Sequence, residues 1–224
     1  MAKARIGLAP RVNELFEKVI NLECIKPLTL VGGTGLSIQI GTRQSEDLDF
    51  MRWRESKEDR LEIGWPAIKA ELETISKIEK TDVLGFDQVL FIVDGVKLSF
   101  YVAPRYEVPE LNRLNIEGNL FVADVKSIGV MKLETMSRRN RFKDYYDLYS
   151  ILKEGYPLLD LVRLASIHSG HALKEKTILS IISDGDRFAR ESSFKELNPL
   201  YDINAKQIEE YIISSLPADM RVRK

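Results

Sequence analysis

The stretch LVGGTGLSIQIGTRQSEDLDF, residues 30–50, decides how the first half of this chain folds. Gly32 and Gly33 directly follow an apolar run, and Asp47 and Asp49 stand one residue apart in the next β-like segment. Glycine weakens both helices and strands, and aspartate is depleted from strands. Because packing alone does not explain these residues in this order, the stretch indicates a binding or catalytic site.

The local pattern predicts a strand, a turn, a helix and a second strand. The run LTLV, residues 28–31, predicts a short buried strand that the two glycines stop in a tight turn, and residues 34–40 predict a short helix. In the second strand, Leu48 and Phe50 face one side and the two aspartates face the other, because side chains alternate along a strand.

Composition limits the classes of protein to consider. The chain has 224 residues and a formal net charge of -1, so no overall field favours nucleic acid or an anionic membrane as partner. Cys24 is the only cysteine, which excludes an intrachain disulfide and a Cys-based zinc site. Neither a signal peptide nor a membrane-spanning run is visible, so we expect a soluble, cytoplasmic protein.

The rest of the chain divides into a mixed part and a helical part. Asp94-Gly95 between two β-rich runs predicts a two-residue hairpin turn. In the first part we predict an amphipathic helix at 12–20, a helix at 58–75 that starts or kinks at Pro66, a hairpin of strands 88–93 and 96–102, and an irregular region at 104–119. In the second part we predict helices at 124–137, 142–154, 157–168, 174–184 and 204–215.

These elements predict an α+β fold. We expect a catalytic domain at residues 1–123, with a small mixed sheet of at least four strands and flanking helices, followed by a helical C-terminal domain at residues 124–224.

The quoted stretch has the chemistry of a nucleotide site. Carboxylates at i and i+2 of a strand lie about 6.5 to 7 Å apart on one face, so Asp47 and Asp49 could converge on a pair of cations about 3.5 to 4 Å apart. Mg²⁺ is suited to this place because it prefers oxygen ligands. Gly32 and Gly33 allow a close approach of the backbone, and the first N–H groups of the helix with the Thr34 hydroxyl would hold a phosphate. The alternative is an ordinary glycine turn followed by aspartates on a solvated strand face.

Two segments carry a resemblance to a known family. The stretch GGTGLSIQIGTRQSEDLDF and the later KLETMSRRNRFKDYYDLYSIL, residues 132–152, resemble the AbiEii/AbiGii toxin family within the polymerase-β-like nucleotidyltransferases. The resemblance covers residues 28–155 and implies the nucleotidyltransferase fold. It also implies Mg²⁺-dependent transfer of NMP from an NTP to an acceptor such as tRNA, and a toxin paired with a cognate antitoxin.

The resemblance also implies roles for individual residues. Lys132 matches the family's nucleotide-binding lysine, and Asp144 and Asp147 match its later carboxylates, with Asp144 orienting or deprotonating the acceptor hydroxyl. Arg43 and Ser45 match an Arg-x-Ser before the acidic pair. The candidate set is therefore Asp47, Asp49, Lys132 and Asp144 for catalysis, Gly32, Gly33, Thr34, Arg43, Ser45, Lys132 and Asp147 for the nucleotide, and Asp47 and Asp49 for the metal.

Several alternatives stay open. Lys132 could lie on a solvated helix face, and the later aspartates could pair with Arg141 and Lys143. Ser99 stands where many polymerase-β-like enzymes carry a third metal carboxylate. This departure leaves three further interpretations. A different carboxylate, such as Asp144 or Asp147, completes the metal site; or the metal is held more weakly and transfer is slower; or the chain is a non-catalytic, nucleotide-binding regulatory module. The acceptor could also be a small molecule or a protein.

Charged and aromatic residues near the second motif give weaker signals. The basic residues could meet an RNA backbone or form a solvated surface, and the histidines are expected at the surface. At least one of the tyrosines is expected to pack in a core, with stacking on a base as the alternative. They are Arg138, Arg139, Arg141 and Lys143, with a second basic cluster at 221–224; His168 and His171; and Tyr145, Tyr146 and Tyr149.

Overall fold

The computed structural model describes residues 7–105 and 111–217. The basic cluster at 221–224 lies outside the described residues. The chain divides between Asp124 and Val125 into two compact units, which are described in turn.

The first unit is built on a mixed sheet. Within the described residues it has seven strands in the order β3-β4-β5-β2-β1-β7-β6. The pairs β1–β7 and β2–β5 are parallel and the other pairs are antiparallel. The strands are β1 Thr29–Val31, β2 Asp47–Trp53, β3 Ile78–Val83, β4 Gln88–Val93, β5 Val96–Ala103, β6 Arg113–Glu117 and β7 Leu120–Ala123. The predicted mixed sheet of at least four strands is confirmed.

In the described part of this unit the sheet is accompanied by the helices α1 Pro10–Val19, α2 Gly32–Ile40 and α3 Trp65–Ile75, with a 3₁₀ turn at Glu23–Ile25. Apolar residues of α1 and α3 share one core with the strands. Within that core the rings of Phe50 and Phe100 stack with their centroids 5.3 Å apart. A proline opens α3, as predicted, because a helix tolerates proline in its first turn.

The predicted hairpin is confirmed. Val93 pairs with Val96 across a turn in which Asp94 and Gly95 have φ values of +50° and +72°. Positive φ at both central positions matches the twist of a two-residue hairpin, which is why the Asp-Gly dipeptide predicts it.

Two edge strands contradict the sequence reading. The region 104–119, predicted as irregular, contains β6, and β3 was not predicted. Every residue of β6 is exposed, and β3 has no fully buried residue. The sequence of β3 has no apolar alternation, so hydrophobic patterning does not reveal it. In β6, Leu114 and Ile116 do alternate with polar residues, but the run is only five residues long and the sequence analysis overlooked it.

The second unit is helical, as predicted. Its α-helices are α4 Val125–Met136, α5 Phe142–Lys153, α6 Leu158–His168, α7 Glu175–Ile182 and α8 Ala205–Ser215, with 3₁₀ turns at Gly185–Arg187 and Ser192–Leu197. Tyr145 and Tyr146 are fully buried in its core. The Tyr145 hydroxyl donates to the carbonyl of Ile182 at 2.6 Å, so their packing role is confirmed. Among the described helices, none has the length and apolarity needed to cross a bilayer.

Candidate active site

The N-terminus of α2 lies directly beside one of the two aspartates. Because α2 begins at Gly32, the glycines form its first turn rather than a separate loop. Gly32 has a φ of +70°, and a Cβ added to it would lie 3.2 Å from Oδ2 of Asp49. Val31 precedes the helix without a capping hydrogen bond from its side chain. The N-terminus of α2, whose free N–H groups and dipole favour a negative charge, therefore adjoins a carboxylate.

A buried guanidinium lies over the second glycine. A Cβ on Gly33 would be 2.6 Å from Nη2 of Arg43, so a larger residue there would force the end of this side chain to shift. Arg43 is 4% exposed, and its Nη1 donates to the carbonyl of Gln44 at 2.8 Å. The guanidinium and the helix N-terminus are both positive, so together they favour an anion at this place.

Thr34 and Ser45 tie the start of α2 to the start of β2. The Thr34 hydroxyl donates to the carbonyl of Asp47 and lies 2.8 Å from Oγ of Ser45. Thr34 is buried and its hydroxyl proton is already used, so the predicted phosphate contact of this residue would have to use its backbone N–H. Ser45 is also held through its backbone, which bonds to Gly7 and Ala9.

The two aspartates lie on the face of β2 opposite the core, as the alternation predicts. Leu48 and Phe50, on the other face, are 0% and 1% exposed. Within residues 7–105 and 111–217, the Asp49 carboxylate makes no hydrogen bond or ion pair. The Asp47 carboxylate pairs with the ammonium of Lys97 on β5 at 2.6 Å.

The register between β2 and β5 identifies the neighbours of both aspartates. Asp47 is opposite Lys97, and Asp49 is opposite Ser99. Ser99 therefore stands beside Asp49, on the strand where the sequence analysis noted the missing carboxylate. Sequence reasoning missed Lys97, because parallel pairing of strands fifty residues apart has no local signal.

The donor set fits a hydrated Mg²⁺ that shares its ligands with a nucleotide. Asp47 and Asp49 supply carboxylate oxygens, and no group of three or more His, Cys, Asp or Glu able to hold a metal occurs in the described part of the chain. Mg²⁺ usually keeps several waters and uses one or two carboxylates with substrate phosphates. Two aspartates beside an anion site meet that requirement, whereas a metal cage made by protein alone would not form here.

A buried ionic cluster lies in the second unit. Nζ of Lys132 on α4 is 2.7 Å from Oδ1 of Asp144 and 2.5 Å from Oδ2 of Asp147, both on α5. The side chains are 6%, 0% and 1% exposed. Residues at i and i+3 share a helix face, and here both carboxylates contact one ammonium. The alternative of a solvated Lys132 is wrong.

Arg139 completes this cluster and was not predicted as a member. Its Nε is 2.8 Å from Oδ2 of Asp144 and its Nη2 is 3.1 Å from Oδ1, a bidentate pair. Burial alone would raise the pKa of Asp144, but Lys132 and Arg139 outweigh burial and hold that pKa well below its usual range. The alternative partner Arg141 pairs with Glu191 instead, at 3.4 Å.

The structure adds to one further expectation near the second motif and corrects another. Arg138 pairs with Glu134 at 2.5 Å, so part of the basic cluster already has acidic partners. His168, expected at the surface, is 8% exposed, and its Nδ1 lies 2.9 Å from Glu134 Oε2. The acidic partner lies on another helix 34 residues away, which is why inspection of neighbouring sequence did not find it.

Several known proteins are similar to this chain. An uncharacterised protein of Aquifex aeolicus is 29% identical over 201 residues, which cover 88% of this chain and 90% of that protein. A solved structure from H. pylori, assigned as a nucleotidyltransferase, superposes with a TM-score of 0.50 at 18% identity, over 91% of this chain and 96% of that chain. This likeness supports the nucleotidyltransferase fold. The MenT4 nucleotidyltransferase toxin of Mycobacterium tuberculosis matches with a TM-score of 0.48 at 16% identity, over 94% and 87% of the chains.

The family assignment rests on a match along most of the chain. The family described as "Nucleotidyl transferase AbiEii toxin, Type IV TA system" matches residues 15–211, which include both candidate clusters. The chain therefore belongs to the AbiEii toxin family and is a nucleotidyltransferase.

Proposed function

We propose that this enzyme transfers NMP from a Mg²⁺-bound NTP to an RNA acceptor such as tRNA, as a toxin with a cognate antitoxin. One observation carries the nucleotide part of this proposal: the N-terminus of α2 adjoins the aspartates of β2, with the Cβ position of Gly32 3.2 Å from Asp49 Oδ2. An NTP brings phosphates and their metal together, so a site for it needs an anion site beside carboxylates.

Within the first unit, each residue would have a distinct task. The backbone N–H groups of Gly33 and Thr34 and the guanidinium of Arg43 would bind phosphate oxygens. Asp47 and Asp49 would hold Mg²⁺, which when bound neutralises charge on the phosphates during transfer. Ser45 would act indirectly, since its hydroxyl lies 2.8 Å from that of Thr34 and helps to keep the helix start in place.

In the second unit we assign Lys132 to the triphosphate. Its ammonium is held between Asp144 and Asp147, and a lysine held in this way acts as a positioned point charge for phosphate. Because its pKa is held low, Asp144 is a poor proton acceptor. We therefore propose that Asp144 and Asp147 position Lys132, rather than that Asp144 deprotonates the acceptor hydroxyl.

The acceptor is the least constrained part of the proposal. RNA is favoured because the chain belongs to a family of nucleotidyltransferase toxins. The formal charge of -1 gives no general attraction to nucleic acid, so RNA would have to be held by local contacts.

The test measures where label from an NTP goes. The full chain is incubated with each α-labelled NTP, Mg²⁺ and total bacterial tRNA, beside the Asp47→Asn/Asp49→Asn variant. Asp82→Asn is the matched control, because Asp82 is another aspartate of the same sheet, on β3. Label in RNA with the wild type and the control, but not with the double variant, is the expected result, and it names the nucleotide.

Three other results would change the proposal. Equal labelling of RNA by the double variant would refute the assigned metal site. Label only in protein or in added small molecules would replace the RNA acceptor. NTP binding without any transfer would favour the nucleotide-binding regulatory module that the Lys97–Asp47 ion pair and Ser99 suggest.

A further inference from the structure

Lys97 is a cation directly beside the carboxylates assigned to the metal. We propose that the ammonium of Lys97 neutralises part of the negative charge of Asp47, so that the site takes one divalent cation, carried by the nucleotide, instead of two. This inference rests on the proposed function, because it assumes that Asp47 and Asp49 are the metal ligands.

The contacts of Lys97 support this role. Its Nζ lies 2.6 Å from Oδ2 of Asp47, and among residues 7–105 and 111–217 no other acidic side chain pairs with it. On its other side, β4 places Ile92 opposite Lys97, which offers no competing charge. The ammonium is therefore directed to Asp47 by its surroundings.

The sum of charges at this face is suited to one divalent ion. Asp47 and Asp49 contribute two negative charges, Lys97 contributes one positive charge, and Ser99 is neutral. A carboxylate at either β5 position would have made the face more negative and suited it to a pair of divalent ions, which two-metal sites hold about 3.5 to 4 Å apart. With Lys97 in place, a second ion at Asp47 would have to displace the ammonium.

The pair is accessible, so the displacement can be measured. Lys97 and Asp47 have side-chain exposures of 36% and 31%, which lets added cations reach the carboxylate. An exposed ion pair contributes little to stability, so removal of Lys97 should leave the fold intact. A charge of +1 about 5 Å from a charge of +2 in a water-like dielectric weakens binding about tenfold.

The experiment counts Mn²⁺ ions bound to the full chain, using electron paramagnetic resonance of free Mn²⁺ with and without a non-hydrolysable NTP analogue. Lys97→Met removes the ammonium and keeps an apolar stem. Lys80→Met is the matched control, because Lys80 forms the same 2.6 Å contact with Asp82 on β3 of this sheet.

We expect one Mn²⁺ per wild-type chain in the presence of the analogue. Lys97→Met should bind Mn²⁺ about tenfold more tightly or take a second ion, while Lys80→Met should match the wild type. Two ions in the wild type, or unchanged affinity and ion number in Lys97→Met, would overturn the inference. A different result would show that the proposed function itself has failed: Asp47→Asn/Asp49→Asn would bind Mn²⁺ as the wild type does.

Discussion

Replacement of Lys132 by methionine should destabilise the second unit strongly. The ammonium is the shared partner of Asp144 at 2.7 Å and Asp147 at 2.5 Å, and all three side chains are at least nine-tenths buried. Removing one partner of a buried pair typically costs about 3 to 5 kcal/mol, because a charge stays behind without compensation. Asp144 keeps its bidentate contact with Arg139, so we expect the lower value, about 3 kcal/mol.

Urea unfolding followed by far-ultraviolet circular dichroism measures this change. The signal of the helices is the suitable probe, because both tryptophans, Trp53 and Trp65, belong to the first unit. With an m-value of about 2 kcal/mol per molar urea, a loss of about 3 kcal/mol lowers the midpoint by about 1.5 M.

A rescue variant separates charge from packing. Lys132→Met/Asp147→Asn removes a carboxylate together with the ammonium, so it should recover most of the lost stability while NTP binding stays lost. An unchanged midpoint for Lys132→Met at neutral pH, or no recovery in the double variant, would refute the buried-pair reasoning.

Three other changes test separate parts of the structure. Gly33→Ala should weaken binding of an NTP analogue at least about tenfold, because the new Cβ meets the Arg43 guanidinium. Gly64→Ala should bind the analogue normally, because a Cβ added there has no other atom within 4 Å. Equal affinities of the two variants would contradict the tight fit at α2. Arg139→Gln should move acid unfolding to higher pH. The lowered pKa of Asp144 gives stability above its unfolded pKa of about 3.9, and this stability is lost as pH falls through the folded pKa. Loss of a cation raises the folded pKa, so an unshifted acid titration would argue against the pair. Burial, with help from a nearby carboxylate, raises the pKa of Cys24 to about 12. The thiol of native protein should therefore react with iodoacetamide near neutral pH at least about tenfold more slowly than that of unfolded protein. Equal rates would disprove the raised pKa.

Local sequence determined the elements that have a strong local signal. The Asp-Gly dipeptide predicts its hairpin because both positions need positive φ, and the apolar spacing after Asp124 predicts the five α-helices of the second unit to within two residues at each end. The same local logic places Asp47 and Asp49 on the face of β2 away from the core.

Some site contacts were within reach of sequence reasoning and others were not. Convergence of Asp144 and Asp147 follows from helical geometry, but their partner Lys132 is on another helix, and its assignment came from the family resemblance. Arg139 is five residues from Asp144, yet its bidentate contact depends on the turn between α4 and α5. Propensity does not specify the direction of a side chain in such a turn.

By itself, then, the sequence determined the strand, helix and acidic strand of residues 30–50, because each depends on neighbours along the chain. The predicted glycine turn is instead the first turn of that helix. Only the tertiary structure decided which residues stand beside that acidic strand. The parallel register of β2 and β5 brings Lys97 to Asp47 and Ser99 to Asp49. Strand order and register depend on the simultaneous packing of many side chains that are far apart in the sequence. A local sequence pattern contains no information about that packing.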